Sequence, residues 1–215
     1  MEQYEEGLTN ENMRMSSQNS SKNPVIRVPR LERGRARVAA LLAAGAEVFA
    51  EKGYDAATMT EVAAKAGASI GSLYQFFPTK PLLADALHDE MLIGLGALLE
   101  QVSVDVAGLP AAMAMDRLFA QFGEFLRDHP AFGALADRRD IDKQKKKESR
   151  ARLRGLIARL LTAAEPPVPQ AQAEAAAAIV LHLIRATVIL NESDEAPIRD
   201  AALTEMRRML AAYFA

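Results

Sequence analysis

The chain has 215 residues, half of them hydrophobic, with 26 Lys and Arg set against 28 Asp and Glu for a formal net charge of −2. That length allows one large or two small domains with a real core, and the near balance of charge means that any polyanion must be held by locally concentrated cations. No cysteine is present, which excludes a disulfide framework, a thiolate nucleophile and a thiolate metal site. Alanine richness combined with apolar repeats at the helical period predicts an all-α chain.

Residues 1–23 are dominated by Asn, Ser, Gln and Glu, too polar to offset the entropy of ordering, so the first 30 residues are predicted to form a disordered polar and basic arm. No apolar segment of a secretory signal is present there, and a cytoplasmic protein is expected. Arg27, Arg30, Arg33, Arg35 and Arg37 follow with Glu32 as the one acid among them. Such a run reads either as an arm reaching duplex DNA beside a recognition element or as the solvated start of a helix. A first helix is predicted from about Glu32 to Lys52, with Val38, Leu41, Leu42, Gly45, Val48 and Phe49 as its inner stripe and Gly53 as its stop.

The next stretch, TMTEVAAKAGASIGSLYQFFPTK over 58–80, carries the strongest local signals. Thr58-x-x-Glu61 is a capping box. Met59, Val62, Ala63 and Ala66 then recur on one helical face, and Gly67 supplies the left-handed turn. Ser69 can cap a second helix whose inner face is set by Leu73 and Phe77, and Pro78 ends it. Two short helices joined by a glycine turn read as a helix-turn-helix, which is a DNA-binding motif. Opposite Leu73 and Phe77 lie Gly71 and Gln75, flanked by Ser72 and Tyr74. Glutamine can pair bidentately with adenine, whereas Tyr74 and Lys80 suit phosphates. Ile70 and Phe76 fall at the edges, where the periodicity fits either core or a contact to a thymine methyl.

Residues 38–83, above all TMTEVAAKAGASIGSLYQFFPTKPLL, resemble the DNA-binding domain of the TetR (tetracycline-repressor-like) regulators. Their pattern is a threonine-capped helix, an Ala-x-x-x-Gly turn and then Leu-Tyr-x-x-Phe-x-x-Lys, which here runs from Leu73 to Lys80. The resemblance implies that Thr58, Thr60, Tyr74 and Lys80 hold phosphates. It also implies that Ser69, Ile70, Gly71, Ser72 and Phe76 are presented to the groove. With Gln75, Arg33 and Arg35, these make up the expected DNA-binding set.

Thr79 is expected to cap a long helix over about 80–105, tying the helix-turn-helix region (31–80) to a helical effector and dimer region (81–215). Gly94 and Gly96 within it mark either a soft point or close helix packing. Further helices are predicted over about 111–128, 132–136, 141–164, 170–191 and 197–213. The first half of the 141–164 helix is rich in Lys and Arg, read as a solvated face ahead of a second DNA contact or an anion site. The longest apolar run, Ala175–Leu190, contains His182 and Arg185 and falls short of the ~20 residues that cross a bilayer, so no membrane association is expected. Two apolar helices at the chain end suit a four-helix seam with a second copy, giving a homodimer that reads paired half-sites.

His182 and Arg185 are expected on the most buried helix, as a polar anchor for a small hydrophobic or anionic effector or as a structural pair, for example with Glu124. Met91, Met115, Phe119, Phe122 and Phe125 are the expected pocket walls if relatives' pockets carry over. Asp85-x-x-His88 has half a metal-site spacing with no second half, so no metal or cofactor is expected. No nucleophile elbow, zincin motif or phosphate loop is present, so no enzyme is expected. The function that follows is a ligand-responsive repressor binding palindromic duplex DNA as a dimer. The alternative is an orphan regulator controlled by a protein partner or by abundance.

Overall fold

The computed structural model describes residues 32–136, 138, 140–191 and 196–214, and among them lie nine helices and no strand. The predicted arm, residues 1–30, lies outside the described residues.

Helix α1 (Glu32–Ala56) buries Leu41, Ala44, Val48 and Phe49. Its backbone leaves helical geometry at Gly53 (φ 74°, ψ 168°), so Tyr54–Ala56 form a separate last turn. Helix α2 (Met59–Lys65) starts on the expected capping box. The Glu61 N–H donates to Thr58 Oγ1 at 3.3 Å, and the Thr58 N–H donates to Glu61 Oε2 at 3.0 Å. The Glu61 carboxyl is held down to about 2, first by the Lys52 ammonium and then by the Thr58 hydroxyl and N–H. Lys65 bonds Glu47 and Glu51, so ion pairs at both ends fasten α2 across α1. At the turn Gly67 has φ 57°, and the Ala68 N–H reaches back to the Ala63 carbonyl at 2.9 Å. Helix α3 (Ile70–Phe76) follows, capped by Ser69 and anchored by fully buried Leu73.

Helix α4 (Lys80–Asp105) begins where Thr79 Oγ1 accepts the Leu82 N–H, with Pro81 in its first turn. Near its start it lies tight against α1: a Cβ on Gly45 would sit 3.1 Å from Leu87 Cδ1 and 3.3 Å from Leu83 Cδ2. Further along, Met91, Leu95, Leu99 and Val102 are buried. Gly94 faces the Phe125 ring and Gly96 faces the Arg152 guanidinium, at 3.5 and 3.3 Å from where a Cβ would stand. The helix runs through both without a break, so the glycine pair serves close packing.

Helices α5 (Ala111–Asp128), α6 (Phe132–Ala136), α7 (Lys143–Thr162), α8 (Gln170–Asn191) and α9 (Ala196–Tyr213) complete the bundle. Helix α7 is shorter than the predicted 141–164 because Asp142 caps it, its Oδ1 accepting the Lys145 N–H at 2.9 Å. The α7 inner stripe, Leu153, Leu156, Ile157, Leu160 and Leu161, is buried as expected, and the α8 helix packs along it. One expectation needs correcting. Over Gln170–Leu190 the helix α8 is long and apolar enough to cross a membrane by length and composition, but 39% of that window is buried in the bundle. Ile179 and Ile189 on it are exposed, and Leu181 and Leu183 are half-buried. One continuous hydrophobic cluster runs from α1 through α4 into α5, α7 and α8.

Thr58 supplies the acceptor for an otherwise orphan N–H at the start of α2. Thr58→Ala is expected to cost about 1 kcal/mol in urea unfolding at neutral pH. An unchanged midpoint would show that the box contributes nothing.

Candidate functional site

The α3 surface sorts its residues as helical geometry requires. Leu73 and Phe77 are 0% and 1% exposed, while Ile70 and Tyr74 stand 41% and 48% exposed on the other side with Gly71 and Gln75. Ser69 is exposed at the cap, its Oγ accepting the Ser72 N–H, and Ser72 is half-buried. Ile70 therefore belongs to the outward face, and Phe76 packs against the core edge. At Gly71 nothing stands within 4 Å of where a Cβ would be, so the bare backbone leaves room for a partner rather than for the protein's own packing. Thr58 and Thr60 are exposed at the start of α2. Ile70, Gly71, Tyr74 and Gln75 share one outward face of α3.

Arg33 and Arg35 are exposed on the first turn of α1. Arg35 lines a cleft with Glu90, Met91 and His129. That cleft lies three turns down α4 from Lys80, roughly 16 Å at the helical rise.

Lys80 departs most from its expected role. Its ammonium is turned inward, donating to the carbonyls of Tyr54 (2.8 Å), Asp55 (3.0 Å) and Ala57 (3.0 Å), which uses all three protons. It also stands 4.7 Å from the Tyr54 ring centroid. The side chain thus closes the carbonyl end of α1, where the helix dipole favours a cation, instead of facing solvent for a phosphate.

Tyr54 joins a second group that sequence reading missed. Arg138, between α6 and α7, lies 4.4 Å from the same ring centroid and is 4% exposed. Its Nε and Nη2 donate to the two Asp140 oxygens at 2.9 and 2.8 Å, and its Nη1 donates to Asp85 Oδ1 of α4 at 2.9 Å. Tyr54 Oη donates to Asp140 Oδ2 at 3.0 Å. Arg138 holds the Asp140 carboxyl below its usual range, and burial, with Asp140, pushes the Tyr54 phenol up. The partners are 53 and 86 residues apart in the chain, and no local spacing announces them.

The expected effector pocket does not assemble. Met115, Phe119, Phe122 and Phe125 are buried core, and Phe125 packs edge-on against Phe132 at 5.5 Å and stacks on His129 at 4.2 Å. Met91 lines the α1–α4 cleft, about 370 Å³ in volume. His182 and Arg185 are exposed, not buried, and line another cleft of about 220 Å³ among α4, α6, α7 and α8. The proposed partner Glu124 faces Arg127 instead. The reason is that α8 seats only one apolar side against α7, so its polar residues fall on a rim.

Asp85 is engaged by Arg138 rather than paired with His88 at a metal-type site. Among the described residues no three His, Asp or Glu side chains are grouped as metal ligands. His88 is half-buried and stacked on Phe132 at 6.5 Å. Burial holds its pKa below the ordinary value, with Arg138 and Lys146 acting the same way and Asp89 and Asp85 opposing.

Two outcomes follow. Lys80→Met is expected to lower stability by about 1.5–3 kcal/mol, the range for a charged group's hydrogen bonds. The salt slope of DNA binding should stay unchanged; a slope reduced by about one would restore the phosphate role. Because the folded His88 pKa is depressed, its neutral form favours folding above the ordinary value of 6.5, and stability is lost as pH falls through the lower folded value. The urea midpoint should drop from pH 7 to 5, and less so in His88→Phe; identical drops would remove His88 as the cause.

Residues 41–87 match the family model for bacterial regulatory proteins of the tetR family, and residues 110–214 match that for a tetracyclin repressor-like C-terminal domain. No protein of curated function matches the chain. Among solved structures, a TetR-like regulator from Rhodococcus sp. RHA1 is 24% identical with a TM-score of 0.60, covering 86% of this chain and 96% of its own. A TetR-family regulator from Streptomyces coelicolor is 22% identical with a TM-score of 0.58, over 83% and 99%. FadR from Bacillus subtilis, solved in complex with stearoyl-CoA, is 18% identical with a TM-score of 0.57, over 77% and 95%. Both halves of the chain thus match models of one family, on a helix-turn-helix joined to a helical bundle: the protein belongs to the TetR family of DNA-binding transcriptional regulators.

Proposed function

We propose that the protein is a ligand-responsive repressor that binds a palindromic site as a homodimer in the cytoplasm. The observation that carries the DNA contact is the outward face of α3, with Ile70, Tyr74 and Gln75 exposed over a fully buried Leu73. Ser69, Ile70, Gly71, Ser72 and Gln75 face the major groove, and Thr58, Thr60 and Tyr74 hold the backbone. Lys80 shapes this head by closing α1. Residues 31–80 act as the reading head and 81–215 as the responding and pairing region.

Dimerisation is supported by the α8–α9 face. Ile179, Met209 and Tyr213 are 57%, 66% and 54% exposed, and they line an almost wholly apolar groove of about 540 Å³ with Leu183 and Met206. Leaving such a surface in water is unfavourable, and two copies related by a twofold axis would bury it as a four-helix seam. Control by a small molecule is supported by the clefts on the bundle and by the ligand in the B. subtilis FadR structure. A ligand acts by favouring one separation of the two heads over another, transmitted along α4. The filled aromatic core around Phe122 and Phe125 favours the orphan reading, in which a protein partner or abundance sets activity.

Selection of duplexes from a random pool tests the reading. The full chain should enrich an inverted repeat, and an Ile179→Glu, Met209→Glu double variant should be monomeric and enrich no paired half-sites. A wild-type monomer, or no enrichment over bulk DNA, would refute it.

A further inference from the structure

We infer that Arg138, a residue of the bundle, is a positioning residue for sequence-specific DNA binding, because it fixes the turn from which α2 and α3 are launched. The inference rests on the reading of the α3 face above and adds to it a residue far outside the helix-turn-helix. The turn needs such support because the α1 backbone lets go of it. At Gly53 the chain swings to φ 74° and ψ 168°, and nothing stands within 4 Å of where a Cβ would be. The direction of residues 54–57 therefore depends on the side chains that grip them.

Those side chains form a closed circuit. Lys80 Nζ donates to the carbonyls of Tyr54, Asp55 and Ala57 at 2.8, 3.0 and 3.0 Å. Its ammonium and the Arg138 guanidinium stand 4.7 and 4.4 Å from the centroid of the same Tyr54 ring. Tyr54 Oη donates to Asp140, whose carboxylate is held in turn by Arg138 Nε and Nη2. The remaining Arg138 contact, Nη1 to Asp85 at 2.9 Å, returns to α4 little more than a turn beyond Lys80. Arg138 thus sets the ring and the start of α4 against each other, and the two together hold the turn.

Ala57 directly precedes Thr58, the cap of α2, and the Gly67 turn carries α2 into α3. A shifted turn moves the outward face of α3 with it. Base edges are read only in the right hydrogen-bond geometry, whereas attraction to phosphates tolerates displacement. Loosening the circuit should therefore weaken binding to a preferred site far more than binding to bulk duplex.

Wild-type protein and Arg138→Met are titrated with the duplex that the wild-type chain enriches from a random pool, and with sonicated genomic DNA. R138M should lose about tenfold on the enriched duplex, roughly the worth of one base contact. On genomic DNA it should stay within about threefold, with the salt slope unchanged because no phosphate contact is removed. Loss of folded protein would instead lower both affinities alike, and circular dichroism at the titration temperature reports it. Tyr54→Phe removes one hydrogen bond and keeps the ring. It should show the same selective loss, smaller in size, and add little in the R138M background. If R138M does not fold, Tyr54→Phe alone decides. An undiminished preference for the enriched duplex, or an equal fall on both DNAs, would overturn the inference and leave the α3 reading intact. A wild-type chain that prefers no duplex would overturn both.

Discussion

A guanidinium whose side chain is 1% exposed can stay charged only if its donors are met, and Arg138 meets that condition with groups from three separate segments. Asp85 comes from α4, Asp140 from the approach to α7, and the Tyr54 ring from the end of α1. Removing one acid would strip the buried guanidinium of part of its compensation, at a cost reduced by solvent because Asp85 and Asp140 are 35% and 42% exposed. The end of α1, the start of α4 and the α6–α7 connection are therefore held as one unit. Lys80, on the same tyrosine ring, extends that unit to the turn before α2. Motion in the bundle that disturbed Asp140 or Asp85 would be felt at the base of the DNA-binding head.

The sequence was most legible where the cause was local. The capping box at Thr58, the Gly67 turn and the Thr79 cap each lie within four residues of what they act on, and each appears as read. The bounds of α4, α5, α6 and α8 follow from apolar period and from Gly and Pro stops, and they too were readable. The sorting of α3 into Leu73 and Phe77 inside and Tyr74 and Gln75 outside needed only the helical angle.

What failed to show was everything set by long-range partners. Lys80 looked like a phosphate ligand because its three carbonyl acceptors sit 23–26 residues away, on a turn whose direction depends on Gly53. His182 and Arg185 looked buried because α8 is apolar nearly all round. Composition cannot say that such a helix divides its surface between an α7 contact and an exposed face. The phenylalanines of α5 looked like pocket walls, yet their rings fill the space against one another and Phe132.

The tight seat of Leu83 and Leu87 on Gly45, within an unbroken apolar cluster, has a bearing on modularity. A cut after residue 80 would strip α1 of its cover from α4 and α6 and open the seat at Gly45 that Leu83 and Leu87 fill. The first three helices are consequently a poor cassette for grafting onto a foreign bundle. Any chimera that keeps their specificity has to carry the opening turns of α4 along with them.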